Sequence, residues 1–380
     1  MCLVALTLLA AIAAEAAWWY VITPATPLPV MAAGAPVIGA TRGSVAMDGV
    51  RLATAASPAA SATETSILIE RNASTRDMSR LLAHAKLVQC EPCFWVAAQA
   101  YQRITKQHLK AGEYAFSAPM SPLAILKKLA KGDVVVRKFT VPEGLTSTQI
   151  LAKLAQEPFL TGDVPPSLPE GTLLPETYHY MRGDSRASVL EAMQQGMRDY
   201  VAKAWDERPA DVPLNSPEEL ITLASIIEKE TGVPGERSRV AAVFYNRLKL
   251  GMPLQTDPTV IYALTEGRRE LGRPLMLADL QVAHPYNTYV NKGLPPGPIA
   301  NPGKASIDAA LRPLPAALEA GELYFVADGT GGHRFSATLD GHNQNVADYR
   351  ALTKGPEAAP APAAEPAPVA ATKGKKKRKR

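Results

Sequence analysis

Glu230 stands in the run Glu228-Lys229-Glu230-Thr231, at the end of a segment whose apolar residues recur at helical spacing. Leu220, Leu223, Ala224 and Ile227 share one face of that helix, and extending the stripe by a further turn reaches Glu230. Glu228, two residues earlier, points about 200° around the helix, with Ile221 and Ser225. A carboxyl on the packed side loses solvation of its charged form, so its pKa rises. An acid still protonated near neutral pH is what protonating a glycosidic oxygen requires. By periodicity alone the same four residues also describe a solvated helix end with salt-bridged charges, so the surrounding residues must decide.

Those residues are polar and aromatic. Leu254-Gln255-Thr256-Asp257-Pro258-Thr259 reads as a polar loop opening a short helix through Tyr262. Tyr286-Asn287-Thr288-Tyr289 alternates rings with an amide, and Gly293-Leu294-Pro295-Pro296-Gly297-Pro298 is a rigid loop. Rings that stack on sugars, beside amides that bind their hydroxyls, are the lining expected of a glycan cleft. Tyr178, in Leu-Leu-Pro-Glu-Thr-Tyr, is a candidate for the wall of that cleft. His333 and His342 lack the carboxylate or cysteine spacing of a metal site, and no metal or other cofactor is expected.

The elements that must position these groups announce themselves locally. Ser216-Pro217-Glu218-Glu219 is a helix start, with a capping serine, a first-turn proline and a glutamate to complete a capping box. Val243 to Leu248 continues as helix until Gly251 and Pro253 break it, and Leu323 to Ala327 reads as a buried strand turning at Gly331-Gly332 into the next. Upstream, a pattern recurs after 72 residues: Ile67-Leu68-Ile69, Asn72, Ser74 and Leu82 correspond to Phe139-Thr140-Val141, Gly144, Thr146 and Leu154. Each copy predicts a strand, a turn at Asn or Gly with positive φ, a hydroxyl cap and an amphipathic helix. Such a unit resembles a carbohydrate-binding LysM-like subdomain and equally fits a generic small α+β module. Cys90 and Cys93 fit a redox pair, a local disulfide or two small half-buried residues.

The flanks differ in kind. Residues 1–22 carry a single charge, Glu15, and end in Trp18-Trp19-Tyr20. At about 1.5 Å per residue they reach across a bilayer core, as a transmembrane anchor, although a cleaved signal peptide fits the alanine-rich sites too. Either way the chain that follows is expected to be exported. Residues 23–64 form a spacer, and residues 353–380 a Pro/Ala linker with a basic tail. The seven lysines and arginines between Lys373 and Arg380 exceed the whole formal charge of +5, so the rest is slightly acidic and offers no nucleic-acid-binding face. The reading is thus α+β: an N-terminal transmembrane helix, a LysM-like α+β region over 65–160, and a mixed α/β catalytic domain over 161–352.

Five motifs in order, Ala224 to Thr231, Leu254 to Tyr262, Tyr286 to Tyr289, Gly293 to Gly297 and Tyr324 to Asp328, together resemble the endolytic murein transglycosylases, the YceG-like (MltG) family. The resemblance spans about residues 65–350 and is densest from 220 to 348. It implies a single membrane anchor, a LysM-like subdomain and a catalytic glutamate followed by threonine, hence Glu230. It further implies that Gln255, Asp257, Tyr286, Asn287 and Tyr289 bind the glycan, while Glu228, Thr231 and Tyr178 support the site. The implied reaction cleaves the bond from N-acetylmuramic acid (MurNAc) to N-acetylglucosamine (GlcNAc) and leaves a 1,6-anhydro end, terminating nascent strands beside peptidoglycan synthases at the inner membrane. A non-catalytic peptidoglycan scaffold and a muramidase-type hydrolase are the competing readings. Arg71-Asn72 departs from Glu143-Gly144 in the repeat, no basic residues precede the anchor, and the cysteine pair and basic tail lie outside the family pattern.

Overall fold

The computed structural model describes residues 64–117 and 120–353. The expected anchor, most of the spacer and the basic tail lie outside them. Among the described residues no helix is long and apolar enough to cross a membrane.

Two compact units emerge, and the chain passes between them more than once. Among the described residues the first takes those up to 140, 154–164 and 177–190; the second takes 141–153, 165–176 and those from 191. The division is therefore not the single cut after residue 160 that the sequence suggests.

In the first unit β1 (Glu64–Ile69) pairs antiparallel with β2 (Gly112–Ser117), Ile67 opposite Tyr114. Between them run α1 (Thr75–His84) and α2 (Glu91–Thr105), and α3 (Pro122–Lys131) follows. Ile69, Leu82, Phe94, Phe116, Ile125 and Leu129 interlock as one apolar core. Ser74 caps α1 and forms a reciprocal capping box with Asp77. Cys90 caps α2, and the pair is joined as a disulfide to Cys93 in its first turn. A second hairpin, β3 (Val136–Thr140) with β4 (Thr177–Met181), completes the sheets of this unit.

The internal repeat is real at the level of local chemistry. In the second copy Gly144 takes φ 74, and Thr146 and Gln149 cap the start of α4 (Ser147–Ala155). In the first copy Asn72 stays out of the left-handed region, contrary to the expectation of a positive φ there.

The second unit is mostly helical. After α5 (Arg186–Asp206) come α6 (Pro217–Glu230), α7 (Arg237–Lys249), α8 (Asp257–Thr265), α9 (Lys304–Leu311) and α10 (Pro315–Glu319). The hairpin β5 (Tyr324–Ala327) with β6 (His333–Ser336) and α11 (Leu339–Thr353) close it. β5 is half-buried, not the fully buried strand its sequence suggests.

α6 runs through the middle, packed against α7, α8 and α9. Its burial exceeds the predicted stripe: every residue from Thr222 to Ile227 is buried. The hydroxyls inside are satisfied, Ser225 donating to Thr222 O and accepting from Ile299 N. Ser216 caps the start as predicted, but Glu219 reaches past it to the backbone N of Asn215. Gly171 lies against the flank of α6 with φ 72, and a Cβ there would fall 2.5 Å from Ile221 and 2.7 Å from Pro298.

One buried amide fastens three segments of this unit. Asn301 Oδ1 accepts from Leu173 N at 2.9 Å, and Nδ2 donates to Leu145 O and Ser147 Oγ, both at 3.1 Å. Its backbone pairs with Gly144 and Leu145. Asn301→Ala leaves these buried groups unpaired, and urea unfolding should show a loss of about 3 kcal/mol; a loss under about 1 kcal/mol would mean that the clasp carries no stability.

Candidate active site

α6 ends where its sequence can no longer continue it. Thr231 turns to an extended conformation with Gly232 and Pro234 behind it. The Thr231 hydroxyl accepts from Val233 N and donates to Glu236. Glu236 in turn receives His333 of the hairpin, through the backbone N at 2.8 Å and Nδ1 at 2.7 Å. Burial alone would raise the Glu236 carboxyl, but the His333 bonds hold it below the usual range. Thr231 thus fixes the turn that follows Glu230.

Glu230 is partly open to solvent yet closely surrounded by protein, as a group at the bottom of a depression is. Burial, reinforced by the nearby charge of Asp257, pushes its pKa up to about 8, against the opposing pull of Arg247 and Thr256. The Thr256 hydroxyl is buried and forms no well-made hydrogen bond; its contact with the Glu230 carboxyl is loose.

The loop that brings Thr256 and Asp257 here is held from two sides. Gln255 N donates to Thr288 O at 3.1 Å, Thr256 N to Thr288 Oγ1 at 3.1 Å, and the Thr259 and Thr288 hydroxyls meet at 2.8 Å. Gln255 sits at φ 51, a left-handed conformation costing a non-glycine residue on the order of 1 kcal/mol, with its side chain exposed. Asp257 is exposed as well, and Tyr289 donates its hydroxyl to it at 2.6 Å. Burial, then that bond, raises the Tyr289 pKa, so the ring stays a neutral donor.

The structure therefore gathers Glu230, Gln255, Thr256, Asp257 and Tyr289. It does not gather every residue that the sequence nominates. Asn287, read as a glycan ligand, is fully buried; its amide donates to Leu280 O and Val282 O and its carbonyl accepts from Tyr289 N, so it builds the loop. Tyr286 packs on Tyr262 at 4.8 Å, and its charged neighbour is Glu170. Glu228 faces away, accepting from Gly303 N at 2.9 Å and lying 3.6 Å from Arg237. Tyr178 belongs to the first unit, opposite Phe139 on β4. The Gly293–Pro298 loop lines a groove of about 390 Å³ with Pro213, Asn215 and Glu218. That groove is at the other end of α6, about 18 Å along its axis from Glu230.

Arg247 is the residue that sequence reasoning missed. Its Nε donates to Leu323 O at 2.6 Å and its Nη1 to Leu254 O at 2.7 Å, while the guanidinium lies 5.3 Å from the ring of Tyr324. Burial pushes its pKa down from the ordinary arginine value. The signal was present: Val240, Val243 and Phe244 form a buried stripe on α7, and its next position is an arginine.

The YceG-like family profile matches residues 67–348. An endolytic murein transglycosylase of Bacillus subtilis is 36% identical over 272 residues, 63% of this chain and 73% of that protein. One from Streptococcus pneumoniae is 31% identical over 290 residues, 63% of this chain and 51% of that longer protein. The crystal structure of a YceG-like protein from Listeria monocytogenes is 33% identical, with a TM-score of 0.46, covering 74% of this chain and 98% of the other.

A raised carboxyl pKa has a consequence for stability. The folded protein keeps the Glu230 proton up to about pH 8, whereas the unfolded chain releases it near the ordinary glutamate value of 4.5. Stability from this group is thus complete below pH 4.5 and declines as pH rises to about 8. Glu230→Gln removes the decline. The variant should match the wild type in urea at pH 4.5 and exceed it by on the order of 4 kcal/mol at pH 9. An equal gap at both values would show that the carboxyl titrates normally.

Proposed function

The chain belongs to the YceG-like family, and on that footing we propose that it is an endolytic lytic transglycosylase of peptidoglycan with Glu230 as its acid and base. The observation that carries the reading is a partly open carboxyl at the end of a buried helix, protonated at neutral pH. The relatives named endolytic murein transglycosylase support the substrate class.

Protonated Glu230 donates to the oxygen joining MurNAc to GlcNAc, and the bond from that oxygen to C1 of MurNAc breaks as oxocarbenium character develops. The ionised Glu230 then takes the proton of the C6 hydroxyl of the same MurNAc, whose oxygen bonds to C1. A 1,6-anhydro end and a free GlcNAc hydroxyl result, Glu230 is protonated again, and no water is consumed. Gln255 and Asp257, exposed on a loop fixed to Thr288, and Tyr289, bonded to Asp257, are the groups placed to hold the glycan.

The apolar segment 1–22 supports single-pass anchoring in the inner membrane with the catalytic unit outside the cytoplasm, where it would end nascent strands beside the synthases that make them. The Cys90–Cys93 disulfide agrees with that side, since cytosolic thiols are kept reduced.

One observation favours a second reading. Asp257 is close enough to Glu230 to raise it, and a hydrolase uses two carboxylates. Mass spectrometry of uncrosslinked peptidoglycan digested by the whole protein separates the two. The lytic reading expects anhydro-ended fragments, one water lighter than hydrolytic ones, from the wild type and none from a folded Glu230→Gln protein. Reducing ends would establish the hydrolase, and intact strands in both samples a binding scaffold. Because the acid form is required first, kcat/KM should fall above about pH 8.

A further inference from the structure

A buried cation normally finds a carboxylate, and Arg247 does not. It forms no ion pair among the described residues; its hydrogen bonds run to three neutral carbonyls, Leu323 O, Leu254 O and Pro253 O. Nη2 carries no hydrogen bond among the described residues. An arginine cannot shed its proton to escape such a place, so the charge persists. The guanidinium lies over the ring of Tyr324, and His342 of α11 stacks on that ring at 5.2 Å.

Two of the three carbonyls belong to Pro253 and Leu254, immediately before Gln255, Thr256 and Asp257. The same guanidinium therefore fixes the base of the loop whose next residues face Glu230. Glu230 is faced by Thr256 and Asp257 from that loop and the start of α8, by Tyr289 from the loop beyond it, and by Arg247 from α7. On its own helix Lys229 turns to Gly144 O and Glu228 to Arg237. Arg247 is thus the positive group near the acid, and its pull opposes that of Asp257.

We propose that Arg247 is a positioning residue for this reaction: it clamps the loop carrying Thr256 and Asp257 and supplies the fixed positive charge that receives the Glu230 carboxylate whenever its proton leaves. The proposal rests on the reading of Glu230 as acid and base. A glutamate that must give up a proton and take one back needs a partner for its charged form that does not saturate it. A cation held off at a distance by backbone carbonyls provides that, where a direct ion pair would keep the carboxyl ionised throughout.

The test is a carbon-13 NMR titration of the Glu230 side-chain carboxyl in the whole protein, its signal assigned by loss in Glu230→Gln. Arg247→Gln keeps amide donors for the carbonyls and removes the charge; Arg247→Lys keeps the charge and loses the fork. The Glu230 midpoint should rise by on the order of one pH unit in Arg247→Gln and stay at the wild-type value in Arg247→Lys. The alkaline limb of kcat/KM should move with it, and turnover should drop roughly tenfold or more in both variants as the loop loosens. A folded Arg247→Gln protein whose midpoint coincides with the wild type overturns the proposal. Should that variant not fold, Arg247→Lys decides, because a displaced midpoint or undiminished turnover there contradicts it equally. Cleavage that persists in Glu230→Gln would instead remove the catalytic reading while leaving the NMR coupling to stand or fall separately.

Discussion

A helix with almost no polar face must be covered on every side, and α6 is such a helix. From Thr222 to Ile227 its side chains meet protein whatever direction they take, so α7, α8 and α9 gather around it. Internal hydroxyls are paired within that cover because an unpaired one would cost about 1–3 kcal/mol. The acid is a consequence of the same packing. A carboxyl attached just past the covered stretch of this helix is carried into surroundings that disfavour its charge, and Asp257 adds to the effect.

Polar side chains in the second unit divide into two kinds. Asn301 and Asn287 have their amides fully engaged with backbone, and Glu228 answers Gly303 N and Arg237. Around Glu230 the pairing is incomplete: the Thr256 hydroxyl lacks a well-formed bond, and Gln255 and Asp257 face outward. Gln255 also holds a backbone conformation that few side chains accept. Unfinished hydrogen bonding and backbone strain thus meet on one loop beside Glu230.

What could be read from the sequence was what depends on near neighbours. Ser216 as a cap, the break at Gly251, the hairpin at Gly331 and the direction of Glu230 follow from periodicity and turn chemistry. Asn287 misled because an amide between two tyrosines has the composition of a sugar site, while its real partners are carbonyls five and seven residues earlier. Such loop closures have no period. The setting of Tyr286 was hidden likewise, since its stacking partner Tyr262 lies on another element. Arg247 was legible in principle, as a charge at the end of a buried stripe, but its meaning depends on carbonyls from residues 253, 254 and 323. The division of the chain into units was hidden for the same reason: the pieces 141–153 and 165–176 join a body whose bulk begins at 191.

Gly171 sets a limit on how such a protein changes over evolutionary time. Its φ of 72 excludes most side chains, and the space a Cβ would need is already filled by Ile221 of α6 and Pro298 of a distant loop. No single replacement relieves both restrictions, because shrinking the neighbours leaves the backbone strained and relaxing the backbone leaves the overlap. Three separate stretches of chain are thereby tied at one point through which drift passes only by coordinated substitution. A side chain at Gly171 therefore has to come with a change at Ile221 or Pro298.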